Sequence, residues 1–278
     1  MNQEVVDTFL DRVLRDRGLE EAPPYLYKFV SPESLYFQLT MHELFLHNRL
    51  FLSSRQDLND PFDTWLPPME FESVDQIKAF VSGVLKRGPD GTELNEDFAA
   101  YLDDPAKFGE VSSASMERVL DAAGIYSLTE SIAHPLMWAH YGCSYRGIAL
   151  MFDIFAMPNV LPVDYVDERP PNKPDVSGLD VSQLLAKGTA WVYEREWRIV
   201  EPRRARTWID IPPMAFKGIV LGARRGEDDE TTKFVADLLN RRRSAGMPEL
   251  RVLKTKTEGL ELTFYELHGA EWVATTAP

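Results

Sequence analysis

WVYEREWRIV, residues 191–200, alternates apolar and charged side chains with the two-residue period of a β-strand. Trp191, Tyr193, Trp197 and Ile199 share one face, which would pack on a core, with only Arg195 breaking it. Glu194, Glu196 and Arg198 share the other face, beside Val192. Carboxylates two residues apart on a strand stand about 6.5–7 Å from one another, within reach of one ligand or metal. A strand anchored by two tryptophans is also a rigid place to hold charge. The same pattern fits a solvated face with an internal Glu–Arg pair, which is normal on an antiparallel strand.

Working outward, the C-terminal part reads as strand, helix and strands. TWIDIP (207–212) and FKGIVLG (216–222) precede a helix over 228–245, and LRVLKTK (250–256) and LELTFYEL (260–267) follow it. Upstream, GIYSLTES (124–131) is β, HPLMWAHYG (134–142) a short helix and GIALMFDI (147–154) a buried strand, with VLPVDYVD (160–167) a further strand candidate. Residues 170–178 are a proline-rich loop. Near the start, YLYKFV (25–30) and LFLSS (50–54) are strands. Between them Ser31-Pro32-Glu33 predicts a helix start, with the helix carrying Leu35, Leu39, Phe45 and Leu46 to about Asn48. From 71 to 124 the apolar spacing turns helical and acidic residues dominate, so this block is expected as a helical insertion with a solvated face. The fold class is α+β: a mixed, largely antiparallel sheet flanked by helices, in a single domain over 1–278.

An apolar content of 44% and 11% aromatics are enough for a proper core and exclude a disordered chain. The net charge of −14 argues against nucleic acid bound over a broad surface, although Arg203, Arg204 and Arg206 cluster locally. Cys143 is the single cysteine, which rules out an intramolecular disulfide and a cysteine-rich zinc site and fits a reducing compartment. Val5, Val6, Phe9, Leu10, Val13 and Leu14 recur at helical spacing up to Gly18, unlike a secretory leader. No run is long enough for a transmembrane helix. The expectation is a soluble cytoplasmic protein without a membrane partner.

His42-Glu43-Leu44-Phe45-Leu46-His47 resembles a zinc-protease helix, but its histidines are five apart rather than four. That turns the second about 140° from the first and argues against zinc; His134 and His140 fail similarly. No phosphate loop, dinucleotide glycine signature or nucleophile elbow occurs. Asn59-Asp60-Pro61-Phe62-Asp63 is a turn sequence that could also hold two acids at a cleft. Trp138, His140, Tyr141 and Arg146 crowd one segment, a set suited to stacking on a ring and contacting a phosphate, and equally to a helix–sheet interface.

Taken together, YKFVS (27–31), LFLSSRQDLNDPFD (50–63), YSLTES and LMWAHYGCSYRGIALMFD (within 126–153), WVYEREWRIV (191–200) and GIVLG (218–222) resemble an uncharacterised bacterial family catalogued as domain of unknown function 2971. The resemblance spans about residues 25–268 and carries no established activity. More distantly, Tyr27-Lys28-Phe29, Ser127-x-Thr129 and Glu194-x-Glu196 resemble the three strand motifs of ADP-ribosyltransferases. Lys28 stands where that fold carries arginine or histidine, and the Asn-Asp-Pro turn has no counterpart there. The resemblance implies a split sheet that binds NAD as substrate, with no structural metal.

Breaking the bond between ribose and nicotinamide develops positive charge on the sugar, which a fixed carboxylate stabilises. On this reading Glu196 is the catalytic carboxylate and Glu194 orients the acceptor. Lys28 or Arg146 contacts phosphates, Tyr141 or Trp138 stacks on a ring, and Tyr27, Ser127 and His140 complete the nucleotide site. Two other classes stay open. In a Mg²⁺-dependent nuclease or phosphoesterase, Glu194, Glu196, Asp60 and Asp63 would hold the ion, with arginines such as Arg198 near the phosphates. In a non-catalytic ligand-binding or defence-associated sensor, replacing Glu196 would change stability or association without abolishing turnover.

Overall fold

The computed structural model describes residues 12, 15, 22–87, 96–157, 159–168, 181–226 and 229–278. Strand β1 (Tyr25–Val30) leads through a turn to helix α1 (Phe37–His47) and strand β2 (Arg49–Leu52). Helices α2 (Val74–Arg87), α3 (Glu96–Ala99) and α4 (Pro105–Asp121) follow. Next come β3 (Gly124–Thr129), α5 (Pro135–His140), β4 (Ile148–Asp153), β5 (Val160–Pro162), β6 (Asp164–Val166) and β7 (Ala186–Gly188). A 3-10 turn over Thr189–Glu194 enters β8 (Glu196–Glu201), followed by β9 (Thr207–Asp210) and β10 (Phe216–Leu221). Helix α6 (Glu230–Ser244) then precedes β11 (Arg251–Glu258), β12 (Glu261–His268) and β13 (Glu271–Thr275).

Nine strands form one sheet in the order β13-β12-β11-β10-β4-β1-β3-β8-β5. Every junction is antiparallel except β10–β11, where α6 makes the crossover that a parallel pair needs. The α+β class with a mixed, largely antiparallel sheet therefore stands. Central β4 is apolar along its length because both its faces are covered. Ile148, Leu150 and Phe152 join Leu26, Trp197, Ile199 and Phe216 beneath α1 and α6. Ala149 and Met151 face the other way, against Tyr27, Phe29, Trp138 and Val220.

One junction is incomplete, and it positions the site. Strand β1 pairs with β4 over six residues but meets β3 only at Tyr27–Thr129. Beyond that point the two strands part and the sheet is split. Strand β3 is in turn paired with β8 along its whole length. Within residues 71–124, where a helical block is expected, the described residues form α2, α3 and α4. There α2 and α4 pack on Met69, Phe71, Ile77 and Phe108, an apolar cluster separate from those of the sheet. Pro105 opens α4, and the Asp104 side chain accepts from the Lys107 N–H.

Several expectations need correction. WVYEREWRIV is not one strand, because only its second half extends. Arg195 takes a left-handed φ of 44°, which ends the 3-10 turn and kinks the chain before Glu196. The Thr129 hydroxyl fastens that turn by donating to the Glu194 carbonyl. Helix α1 starts at Phe37 rather than at Ser31, whose hydroxyl accepts from the Glu33 N–H in a local turn, leaving Leu35 exposed. VLPVDYVD divides into β5 on the main sheet and β6, which pairs with β7. Strand β2 pairs with β9 apart from the main sheet. Apart from Arg12 and Arg15, the helix expected over residues 1–18 lies outside the described residues, as does the loop over 170–178.

Candidate functional site

On β8 the two-residue period sends Trp197 and Ile199 into the apolar core and Glu196 and Arg198 to the opposite face. There the Arg198 side chain, wholly excluded from solvent, donates to both oxygens of two carboxylates. Its Nη1 and Nη2 reach Asp63 at 3.0 and 2.5 Å, and its Nε and Nη2 reach Glu196 at 2.7 and 3.0 Å. A further bond runs from Nη1 to the Leu184 carbonyl at 2.7 Å. Lys187, on β7, closes the group: its Nζ lies 2.5 Å from Glu194, 2.9 Å from Glu196 and 3.4 Å from Asp63. The kink at Arg195 is what swings Glu194 round to the same lysine.

Asp63 arrives from the Asn59–Asp63 turn. The Asp60 carboxylate accepts from the Phe62 N–H and the Asp60 carbonyl from the Asp63 N–H, so Asp60 builds the turn that aims Asp63 inward. The two acids therefore do not act as a pair.

Three carboxylates thus face two cations in a nearly dry environment, which moves the pKa values of Glu194, Glu196, Lys187 and Arg198. Burial opposes the charge on Glu196, but Arg198 and then Lys187 outweigh it and hold its carboxyl well below the usual range. Burial likewise opposes the Lys187 and Arg198 charges, yet the carboxylates around them win and push both pKa values up. Glu194 goes the other way: burial dominates and raises its pKa despite the neighbouring lysine. Lys28 is lowered, again mainly by burial, against the pull of Glu196.

This charged group floors a cavity of about 410 Å³ that opens in the split between β1 and β3. That size falls within the ordinary range of small-ligand sites. The Tyr141 hydroxyl donates to Glu194 Oε1 at 2.5 Å and accepts from the Asn59 amide at 3.1 Å. Lys28 lies with its ammonium 5.1 Å from the Tyr126 ring centre. Phe37, Met41 and Phe51 supply apolar wall, while Ser31, Ser34, Thr40 and Ser53 supply hydroxyls.

Eight residues singled out from the sequence border this cavity: Tyr27, Lys28, Asn59, Asp63, Ser127, Tyr141, Glu194 and Glu196. Ser127 also hydrogen-bonds to Glu196, and Arg198 lies buried beside the floor. Tyr27 borders the cavity, but its hydroxyl donates to the Pro278 carbonyl at 2.5 Å. Other expected members fall elsewhere. Trp138 is a core residue, with its indole N–H on the Ile132 carbonyl at 2.7 Å and its ring edge-on to Phe29. His140 contacts the Tyr193 hydroxyl at 3.1 Å, outside the cavity lining. Arg146 is spread over the surface towards Glu33 at 3.2 Å, and Asp60 is spent in its turn. Sequence reasoning missed Lys187 altogether; a lysine in the apolar run LLAKG was the available signal.

In comparisons with known proteins, no family model matches the chain. No match is found among curated proteins or among solved structures. Among the described residues, no helix is long and apolar enough to cross a membrane.

Away from the cavity, His42, Glu43 and His47 come together, and their donor atoms all lie within 4.8 Å of one another. The His42 and His47 rings lean together along α1 to a separation of 5.5 Å.

Proposed function

We propose that the cavity in the split sheet binds the nicotinamide-ribose part of NAD and that the protein transfers ADP-ribose from it. The observation that carries this reading is Glu194. Its carboxylate borders the cavity with one oxygen on the Tyr141 hydroxyl, a partner that a ribose hydroxyl can replace. Glu196, the carboxylate expected to act from the sequence, has both oxygens occupied by Arg198 and one shared with Lys187. The reading therefore gives the reacting role to Glu194, and gives Glu196 the role of holding Arg198 and Lys187 in place.

In the step proposed, the bond between ribose C1′ and the pyridinium nitrogen breaks and its electron pair leaves with neutral nicotinamide. The Glu194 carboxylate stabilises the sugar cation left behind. An acceptor oxygen then bonds C1′ and gives up its proton, which Glu194 can take because burial already raises its pKa. Lys28 borders the cavity where ADP-ribosyltransferases carry arginine or histidine, and is suited to a phosphate or ribose oxygen. A Mg²⁺ mechanism finds less support, since Lys187 and Arg198 occupy the carboxylate oxygens an ion would need.

The test is nicotinamide release from NAD, measured with and without Mg²⁺ for the wild-type protein and for Glu194→Gln and Glu196→Gln. The reading expects metal-independent release that Glu194→Gln abolishes while its melting temperature stays near wild type. No release under either condition, or release that survives in Glu194→Gln, overturns it.

A further inference from the structure

We infer that the C-terminal end of α1 is a binding site for a divalent transition metal of the zinc class, held by His42, Glu43 and His47. Glu43 and His47 are four apart and share one face of the helix, and His42 leans across to join them, its ring tilted 50° to that of His47. With donor atoms all within 4.8 Å of one another, small side-chain rotations would bring them to the spacing set by metal–ligand bonds of about 2.0–2.2 Å. Two imidazoles and one carboxylate select zinc, cobalt, nickel or copper over magnesium and calcium, which prefer an all-oxygen shell.

The surroundings permit the ion. His42 and Glu43 are half-buried and His47 is exposed, which leaves an outward side for water as a further ligand. Present partners are weakly held and have alternatives. Arg241 lies 3.3 Å from His42 Nε2 and 3.7 Å from Asp237; Arg49 lies 3.4 Å from Glu43 and 3.1 Å from Asp210. Each arginine keeps a carboxylate when the metal takes its other contact. His47 also sits in the last turn of the helix, where the backbone dipole favours a cation. None of the three ligands borders the cavity, although Phe37, Thr40 and Met41 of the same helix do. Metal binding would therefore brace one wall of that cavity without entering it.

The experiment uses the full chain without a histidine tag, titrated with Co²⁺ by visible absorption and with Zn²⁺ by thermal shift. It is run beside His42→Ala, His47→Ala and the control His134→Ala. The expected result is one saturable site in the wild type and in the control, with a raised melting temperature. Each ligand variant should lose at least about tenfold in affinity, since even partners outside the ligand shell are worth about 10–100-fold. Apo melting temperatures close to wild type would show the variants to be folded. Absence of saturable binding, or unchanged affinity in both ligand variants, overturns the proposal.

Discussion

Strand β8 presents two cores to the protein. Trp197 and Ile199 lie on one face among Leu26, Leu128, Phe152 and Phe216, a mostly apolar assembly that tolerates changes in shape. Glu196 and Arg198 lie on the other, equally buried, in a lattice of ion pairs with Asp63 and Lys187. The first face is non-directional, and its stability grows with the area buried. The second offsets a large desolvation penalty only while every partner is present. One strand thus carries a forgiving surface and an unforgiving one, and the cavity opens beside the unforgiving one.

The largest effect should come from Arg198→Met. It leaves Asp63 and Glu196 buried with Lys187 as their shared cation, and breaking such a pair typically costs about 3–5 kcal/mol. Urea unfolding would measure it. Adding Asp63→Leu should recover part of that loss, and a double variant no better than the single one would break the comparison.

The pH dependence is next. The folded pKa of Glu196 lies below its unfolded value of about 4.3. Its contribution to stability is then complete above that value and is lost as pH falls through the folded one. Glu194, with a raised folded pKa, has the opposite sign: its contribution is complete below the unfolded value and declines as pH rises through the folded one. Unfolding midpoints followed with pH should show acid destabilisation that is shallower in Glu196→Gln than in the wild type.

On the apolar face, Ile199→Val should cost only about 1 kcal/mol, as a buried methylene does. The equally conservative Arg198→Lys should cost more, because an ammonium cannot bridge two carboxylates as a guanidinium does. Equal losses in denaturant melts would mean that the two faces are alike. Last is Tyr141→Phe, which removes the hydroxyl's bonds to Glu194 and from Asn59, each worth about 0.5–1.5 kcal/mol. It should also slow nicotinamide release by more than that loss of stability accounts for.

These contrasts explain how much could be read in advance. Strands β1, β3, β4, β10, β11 and β12 declare themselves through alternation or apolar runs, and the Glu196–Arg198 face follows from the same period. Glu194 is found on the correct side although the reason differs: a left-handed Arg195, not a continuous strand, turns it there. Whether a non-glycine residue adopts that conformation depends on tertiary contacts such as Arg195 with Glu130. Trp138 misleads because an aromatic cluster looks the same whether it faces a ligand or a core, and its indole finds a carbonyl within its own segment. Lys187 and Asp63 meet across more than a hundred residues, a pairing that no local pattern encodes. Strand β13 went unread at the sheet edge, where the mostly exposed EWVAT lacks an apolar face.

The most direct test of the central claim is a crystal structure with carba-NAD, whose carbocyclic ring cannot undergo the cleavage. The account predicts the nicotinamide half between β1 and β3, with a ring hydroxyl in hydrogen-bond distance of the Glu194 carboxylate. A dinucleotide bound elsewhere on the protein, or a split left empty at saturating ligand, would contradict it.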